Sequence, residues 1–351
     1  MRTALTKSLL VTALSVAGGF AHAEGFNFYA LIDGGVANTS ISHGGQSRTE
    51  FVTGGYAPNF MGLSAEKSLG SGLSGGFKLE QGFLLNGKTV FDQYGAFGPD
   101  SLFNRQANAW VKGDFGTVTL GTQSNIAFGS VLLGEPRAGS NFGSALATID
   151  LDGGLGTVDQ AAVSYKSPSM AGWTLAGTLV PDHGDAGSLK SGSRLAATYA
   201  GKDLGATLAV YEDKTQGAPS SKGTVAGASY KVGALTIKGL AVSQKTSAFT
   251  GLDTLGLGGA WALSPATTLD FGLYQSKDSA AHYKVATAAV GVQYKIVKDL
   301  TLYGQYASVQ NKDSTPAAWN FAGPGSSYLT GSISQGQTAS TVNVGLLYSF
   351  F

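Results

Sequence analysis

The chain has no cysteine, so disulfide staples play no part in its stability. Charge is scarce as well: Asp, Glu, Lys and Arg together make up 13% of 351 residues, with a formal net charge of +1. A balance so near neutrality argues against nucleic acid as a partner. Histidine is rarer still, with only His43, His183 and His282 beyond the N-terminal segment, each in an expected loop. Hydrolytic catalysis needs His fixed on a rigid wall beside a nucleophile or acid, so an enzyme is a distant reading. Long apolar runs are missing too. Beyond residue 23 no segment approaches 18 uninterrupted apolar residues, which excludes a membrane-spanning helix. Glycine, by contrast, is abundant at 52 residues, about twice the usual share of ~7%. Without a collagen period, that surplus suits crowded strands and tight turns.

Residues 1–23 read as a secretory signal. Arg2 and Lys7 supply the positive start, Leu9 to Phe20 the apolar middle, and Ala21-His22-Ala23 an A-x-A cleavage site. Cleavage leaves residues 24–351 with a formal charge of −1, because the signal carries two basic residues and no acidic one. An exported protein is expected.

Five segments end on an aromatic, turn, and restart on Thr plus an aliphatic. They run to Tyr165, Tyr199, Tyr230, Trp261 and Tyr294, and restart at Thr174, Thr207, Thr236, Thr268 and Thr301. The aromatics recur at intervals of 34, 31, 31 and 33 residues. Two strands of roughly ten residues, one short turn and one longer loop fill that period, which is the hairpin unit of a transmembrane β-barrel. Strict alternation accompanies the markers. Leu255, Leu257, Trp261 and Leu263 share one face and Gly256, Gly258, Ala260 and Ala262 the other. Val342, Val344, Leu346, Tyr348 and Phe350 do the same near the C-terminus. A soluble sandwich would also alternate, but it would not place aromatics at the strand ends, where a membrane interface has its girdle. The expected girdle is Trp110, Tyr165, Tyr199, Tyr230, Trp261, Tyr294, Tyr348 and Phe350.

Two earlier hairpins turn at Leu69-Gly70-Ser71-Gly72 and at Lys112 to Gly116, which brings the short turns to seven. Adding a first strand at Phe26 to Val36 and a last at Thr338 to Phe350 gives sixteen. The count is even and both termini lie at the short-turn end, as a closed antiparallel barrel requires. The spacing has one anomaly: 55 residues separate Trp110 from Tyr165. The surplus is a Gly-rich loop over 124–160, long enough to fold into and narrow a lumen wide enough for water. The fold expected is all-β, a 16-stranded antiparallel transmembrane β-barrel with an inward-folded third long loop.

Four stretches resemble Gram-negative general-diffusion porins: Phe28 to Val36, Gly70 to Glu80, Leu102-Phe-Asn-Arg-Gln-Ala107 and Gly113-Asp-Phe-Gly-Thr-Val-Thr-Leu-Gly121. The closing Val344 to Phe350 is similar to the family's last strand. The resemblance implies a homotrimer of water-filled barrels in the bacterial outer membrane, with lipid, lipopolysaccharide and the barrel-assembly machinery as partners. No cofactor or metal is implied. Three positions depart from the family pattern. Ser64 and Thr122 stand where basic residues are usual, which thins the basic wall, and Phe351 adds a residue out of phase with the terminal aromatic.

A water-filled pore selects by width and by charges facing one another at its narrowest point. Taking Leu102 and Trp110 as outward-facing turns Arg105, Ala107 and Ala109 inward, and Arg105 matches the Arg of the family motif. Phe77, Leu79 and Phe83 outward put Lys78 and Glu80 inward; Arg194 and Lys238 face inward by the same phase. The long loop contributes Glu135, Arg137, Asp150 and Asp152 as constriction candidates. An acidic loop opposite a basic wall would create a transverse field. Asp150-Leu-Asp152-Gly153-Gly154 reads equally as an exposed turn or a calcium loop, although the EF-hand pattern is absent. Tyr211, Tyr274 and Tyr303 face inward, too isolated to form an aromatic slide. The function expected is passive diffusion of small hydrophilic solutes and ions, with weak, if anything cationic, selectivity. The alternative is a channel specific for a sugar or organic acid; an outer-membrane hydrolase and a secreted adhesin are the distant ones.

Overall fold

The computed structural model describes residues 25–43, 47–85, 102–149, 155–183, 190–217, 219–318 and 332–351. The proposed signal segment and the pair Asp150 and Asp152 lie outside them. From the N-terminus the strands are β1 (Phe26–Ile41), β2 (Arg48–Thr53), β3 (Phe60–Gly70), β4 (Leu73–Gly82), β5 (Gln106–Gly113) and β6 (Gly116–Ser124). The long loop follows, with α1 (Ile126–Gly134) and α2 (Leu146–Ile149). Then come β7 (Val158–Lys166), β8 (Trp173–His183), β9 (Lys190–Ala200), β10 (Leu204–Thr215) and β11 (Ser221–Val232). The run continues with β12 (Leu235–Lys245), β13 (Leu252–Ala262), β14 (Thr267–Asp278), β15 (Tyr283–Val297) and β16 (Leu300–Asn311). A small ribbon, β17 (Ala317–Ala318) and β18 (Ser332–Ile333), precedes the closing β19 (Thr338–Phe350).

Closure is complete: β19 pairs with β16 on one side and with β1 on the other, all antiparallel. The strands β2 and β3 are two halves of a single barrel strand, both lying against β1. With the ribbon set aside, sixteen strands form the ring. A ring leaves no unpaired edge, the condition lipid imposes on any sheet that crosses it. β8 runs to His183 before β9 starts at Lys190, and β10 runs to Thr215 before β11 starts at Ser221.

The outer face is apolar, with Leu195 and Leu257 more than 60% exposed, and its solvent is lipid. Tyr165, Tyr199, Tyr230, Trp261, Tyr294, Tyr348 and Phe350 sit on this face near the short-turn end. Tyr199 packs its ring 5.2 Å from that of Trp173, and the Tyr165 hydroxyl donates to the Phe115 carbonyl at 2.7 Å. Trp110 does not join them. Register pairs it with Gly76 and Thr119, on the face that carries Lys78 and Asn108, and a Cβ built on Gly76 would come within 2.5 Å of its ring. The expected phase ran back through residues 102–105, but β5 starts only at Gln106 and Phe103 has a φ of 60°. Alternation restarts after that kink, so Ala107 and Ala109 face lipid and Gln106 and Asn108 face the lumen. The last residue, Phe351, turns to the inner side, its ring 6.2 Å from that of Tyr29, while Phe350 stays outside beside Phe28 at 5.9 Å.

Candidate pore constriction

The loop leaving β6 turns inward at once. Asn125 caps α1, its side-chain oxygen accepting from the Ala127 and Phe128 amides at 2.9 and 3.3 Å. Ala127, Ser130, Val131 and Gly134 lie against the inner wall, where Thr207 donates to Ser130 at 2.8 Å. Gly134 has no room for a side chain: a Cβ there would lie 2.6 Å from Gly227. Further along, Leu146, Ile149 and Leu155 bury against Tyr211, Val225, Leu240, Val242 and Tyr274. This apolar core, enclosed inside a barrel, holds the loop to the wall by the hydrophobic effect.

The charged residues of this side are committed to anchoring. Lys238 donates to the carbonyls of Leu132 and Glu135 at 3.3 and 3.2 Å, where the C-terminal end of α1 favours a cation. Glu135 is fully buried and accepts from the Gly139 amide at 2.5 Å and from the Tyr274 hydroxyl. Arg137, also fully buried, donates to Asp270 at 2.6 Å, to Gln305 at 2.8 Å and to the Phe142 carbonyl. Burial works against its charge, but Asp270 beside it holds the guanidinium pKa above its ordinary value. At the loop's return, Arg194 bridges Asp159 at 2.8 Å and Asp213 at 2.5 Å.

A second inward feature was not legible in the sequence. Between β2 and β3 the barrel wall leaves the ladder and residues 54–59 bend into the lumen. Buried Asp33 of β1 holds the bend, accepting from the Tyr56 and Ala57 amides at 2.6 Å each and from the Tyr303 hydroxyl at 2.7 Å. The bend meets the loop tip: the Asn141 amide donates to the Tyr56 carbonyl, the Asn141 side chain to the Gly54 carbonyl, and Gln305 bridges the Gly55 carbonyl and Asn343. The signal available was the pair Gly54-Gly55 beyond an acid in the midst of an apolar strand, Leu31-Ile32-Asp33-Gly34.

Across the ring, β4 and the entry to β5 bring Lys78, Glu80 and Arg105 together. Buried Glu80 accepts from Arg105 at 2.5 Å, from the Tyr29 hydroxyl at 3.0 Å and from Lys78 at 3.3 Å. Arg105 lies over the Phe60 ring, 4.5 Å from its centroid, so it points inward although its backbone lies outside the alternation used to place it. Lys78 keeps 30% of its side chain exposed and Arg105 keeps 12%. The flank of α1 turned away from its wall carries Gly129, exposed, with Leu132 beside it, and α1 contains no charged residue. The inward tyrosines each have a partner: Tyr211 donates to Gln244 at 3.0 Å, Tyr274 to Glu135 and Tyr303 to Asp33.

A closed sixteen-stranded barrel with an apolar outside and a loop folded into a polar lumen defines a membrane channel. The family model for Gram-negative porins matches residues 10–314, and the chain belongs to that family. It forms an outer-membrane channel for diffusion and not an enzyme. Among solved structures, the anion-selective porin of Comamonas acidovorans superposes with a TM-score of 0.78 at 21% identity, covering 93% of this chain and 99% of that one. OmpF of Salmonella typhi, in complex with daunomycin, gives 0.67 at 14% identity over 93% and 97%. The trimer form of OmpT from Vibrio cholerae gives 0.65 at 12% over 93% and 100%. No curated protein matches the chain.

Proposed function

We propose that the narrowest part of the channel lies between two unlike walls: Lys78, Glu80 and Arg105 on one side, the uncharged flank of α1 on the other. The observation that carries this reading is the burial of Glu135 and Arg137, each fully committed within the loop and its wall. Among the described residues the loop exposes no charge, and such a surface sets up no acid-against-base field. The remaining wall has two cations and one carboxylate, so a weak anion preference follows, opposite in sign to the expectation from composition. The Comamonas relative is described as anion-selective, in keeping with that sign. General diffusion is favoured over a specific sugar channel because the inward tyrosines are engaged in hydrogen bonds and form no continuous stripe.

The working form is a homotrimer after removal of residues 1–23, as the trimer form of the Vibrio relative suggests. Planar-bilayer recording of the purified protein under a salt gradient tests both readings. Current steps in threes with a reversal potential of modest anionic sign support them. Strong cation preference overturns the selectivity assignment, and single unitary steps overturn the trimer.

A further inference from the structure

The carboxylate shared by Lys78 and Arg105 has a third, uncharged partner two strands away. Register sets Tyr29 of β1, Gly62 of β3 and Glu80 of β4 in one row across the sheet. Neighbouring strands lie about 4.8 Å apart, so the row carries Tyr29 and Glu80 about 9.6 Å from each other. The Tyr29 side chain crosses that gap because Gly62 has none: a Cβ there would overlap the tyrosine ring and its hydroxyl. At the far side the hydroxyl donates to Glu80 Oε2 at 3.0 Å.

Two further rings hold the buried Tyr29 in this pose. Phe60 meets it edge-on with centroids 6.2 Å apart, and Phe351, the residue out of phase with the terminal aromatic, lies at 6.2 Å with its plane tilted by 35°. Lys78 reaches the same Oε2 at 3.3 Å and sits 5.4 Å from the centre of the Tyr29 ring, while Arg105 takes Oε1 at 2.5 Å. Oε2 therefore has one neutral donor and one charged donor, and the neutral one is closer. A hydroxyl adds no charge, yet it fills a hydrogen-bond position that an ammonium would otherwise take. We infer that Tyr29 is a selectivity-positioning residue of the channel, whose hydroxyl holds Glu80 back from Lys78 and leaves that ammonium to the permeating ions. The inference rests on the reading that Lys78, Glu80 and Arg105 line the narrowest part. Gly62 makes the reach possible, and Phe60 and Phe351 keep the ring in line.

Reversal potentials of the purified protein in planar bilayers under a low-salt gradient test this, with Lys78→Gln as the reference. Tyr29→Phe keeps the ring and removes the donor. Lys78 then closes on Oε2, and the expected result is a cationward shift of the permeability ratio, smaller than the roughly two-fold of Lys78→Gln. Gly62→Ala, which pushes the ring off Glu80, is expected to shift the ratio in the same direction. In a Glu80→Gln background Tyr29→Phe is expected to have no effect, a result that a general loosening of the wall would not give. Heat-modifiable migration shows that each variant has folded. A shift from Lys78→Gln with none from Tyr29→Phe, or with an anionward one, overturns the inference and leaves the reading of the wall standing. Equal shifts from Tyr29→Phe with and without Glu80 overturn it as well, because the hydroxyl would then not act through the carboxylate. No shift from Lys78→Gln overturns the reading of the wall itself, and the inference with it.

Discussion

Two stretches of the inner wall carry the same residue types to different ends. Along β9–β16, Arg194, Lys238, Tyr274, Asp270 and Gln305 are all bonded to the long loop or its return, and little of their charge reaches water. Along β3–β5, Lys78 and Arg105 share one carboxylate and keep part of their surface exposed. The difference teaches that inward-facing charge in a barrel has two uses, and that phase alone does not tell them apart. A charge whose height matches the folded loop becomes an anchor. One on the opposite wall remains a lining group.

The anchoring side is the easier to break. Arg137→Ala leaves buried Asp270 without its cation, a loss of about 3–5 kcal/mol. The loop tip is expected to detach, giving larger and noisier single-channel conductance and new protease cleavage within 135–145. Asp33→Ala removes the acceptor of two amides and a hydroxyl, with a cost of about 1–3 kcal/mol for each group left unpaired. Its expected result is a lower heat-modification temperature on gels and greater conductance noise as the Tyr56 bend loosens. Lys238→Met uncaps α1 and costs about 1 kcal/mol or less, visible as modestly faster proteolysis of the loop with conductance nearly unchanged. On the lining side, Lys78→Gln leaves folding intact and shifts the anion-to-cation permeability ratio by roughly two-fold at low salt, fading as salt screens it.

Most of the architecture was legible because period two and the aromatic intervals repeat over the whole chain, so one misread segment does little damage. The misreading of Trp110 shows the limit. Phase carried across residues 102–105 fails, since a single positive φ at Phe103 resets which face comes next. The constriction was legible only in part. Alternation assigns Lys78 and Glu80 to the lumen from local sequence, and register agrees. The roles of Glu135 and Arg137 depend on partners more than 130 residues away, Tyr274, Asp270 and Gln305, which no local pattern discloses. The Tyr56 bend escaped for the same reason, because Asp33, Tyr303 and Asn141 meet it only in the closed ring.

The most direct test of the account compares two charge removals by reversal potential in a salt gradient. Lys78→Gln and Glu135→Gln each delete one charge, one on the lining wall and one inside the loop anchor. The account predicts a cationward shift for Lys78→Gln and essentially none for Glu135→Gln, with heat-modifiable migration confirming that both have folded. A larger shift from Glu135→Gln would mean that the loop acid faces the permeating ions after all, and that the division between anchoring and lining charge is wrong.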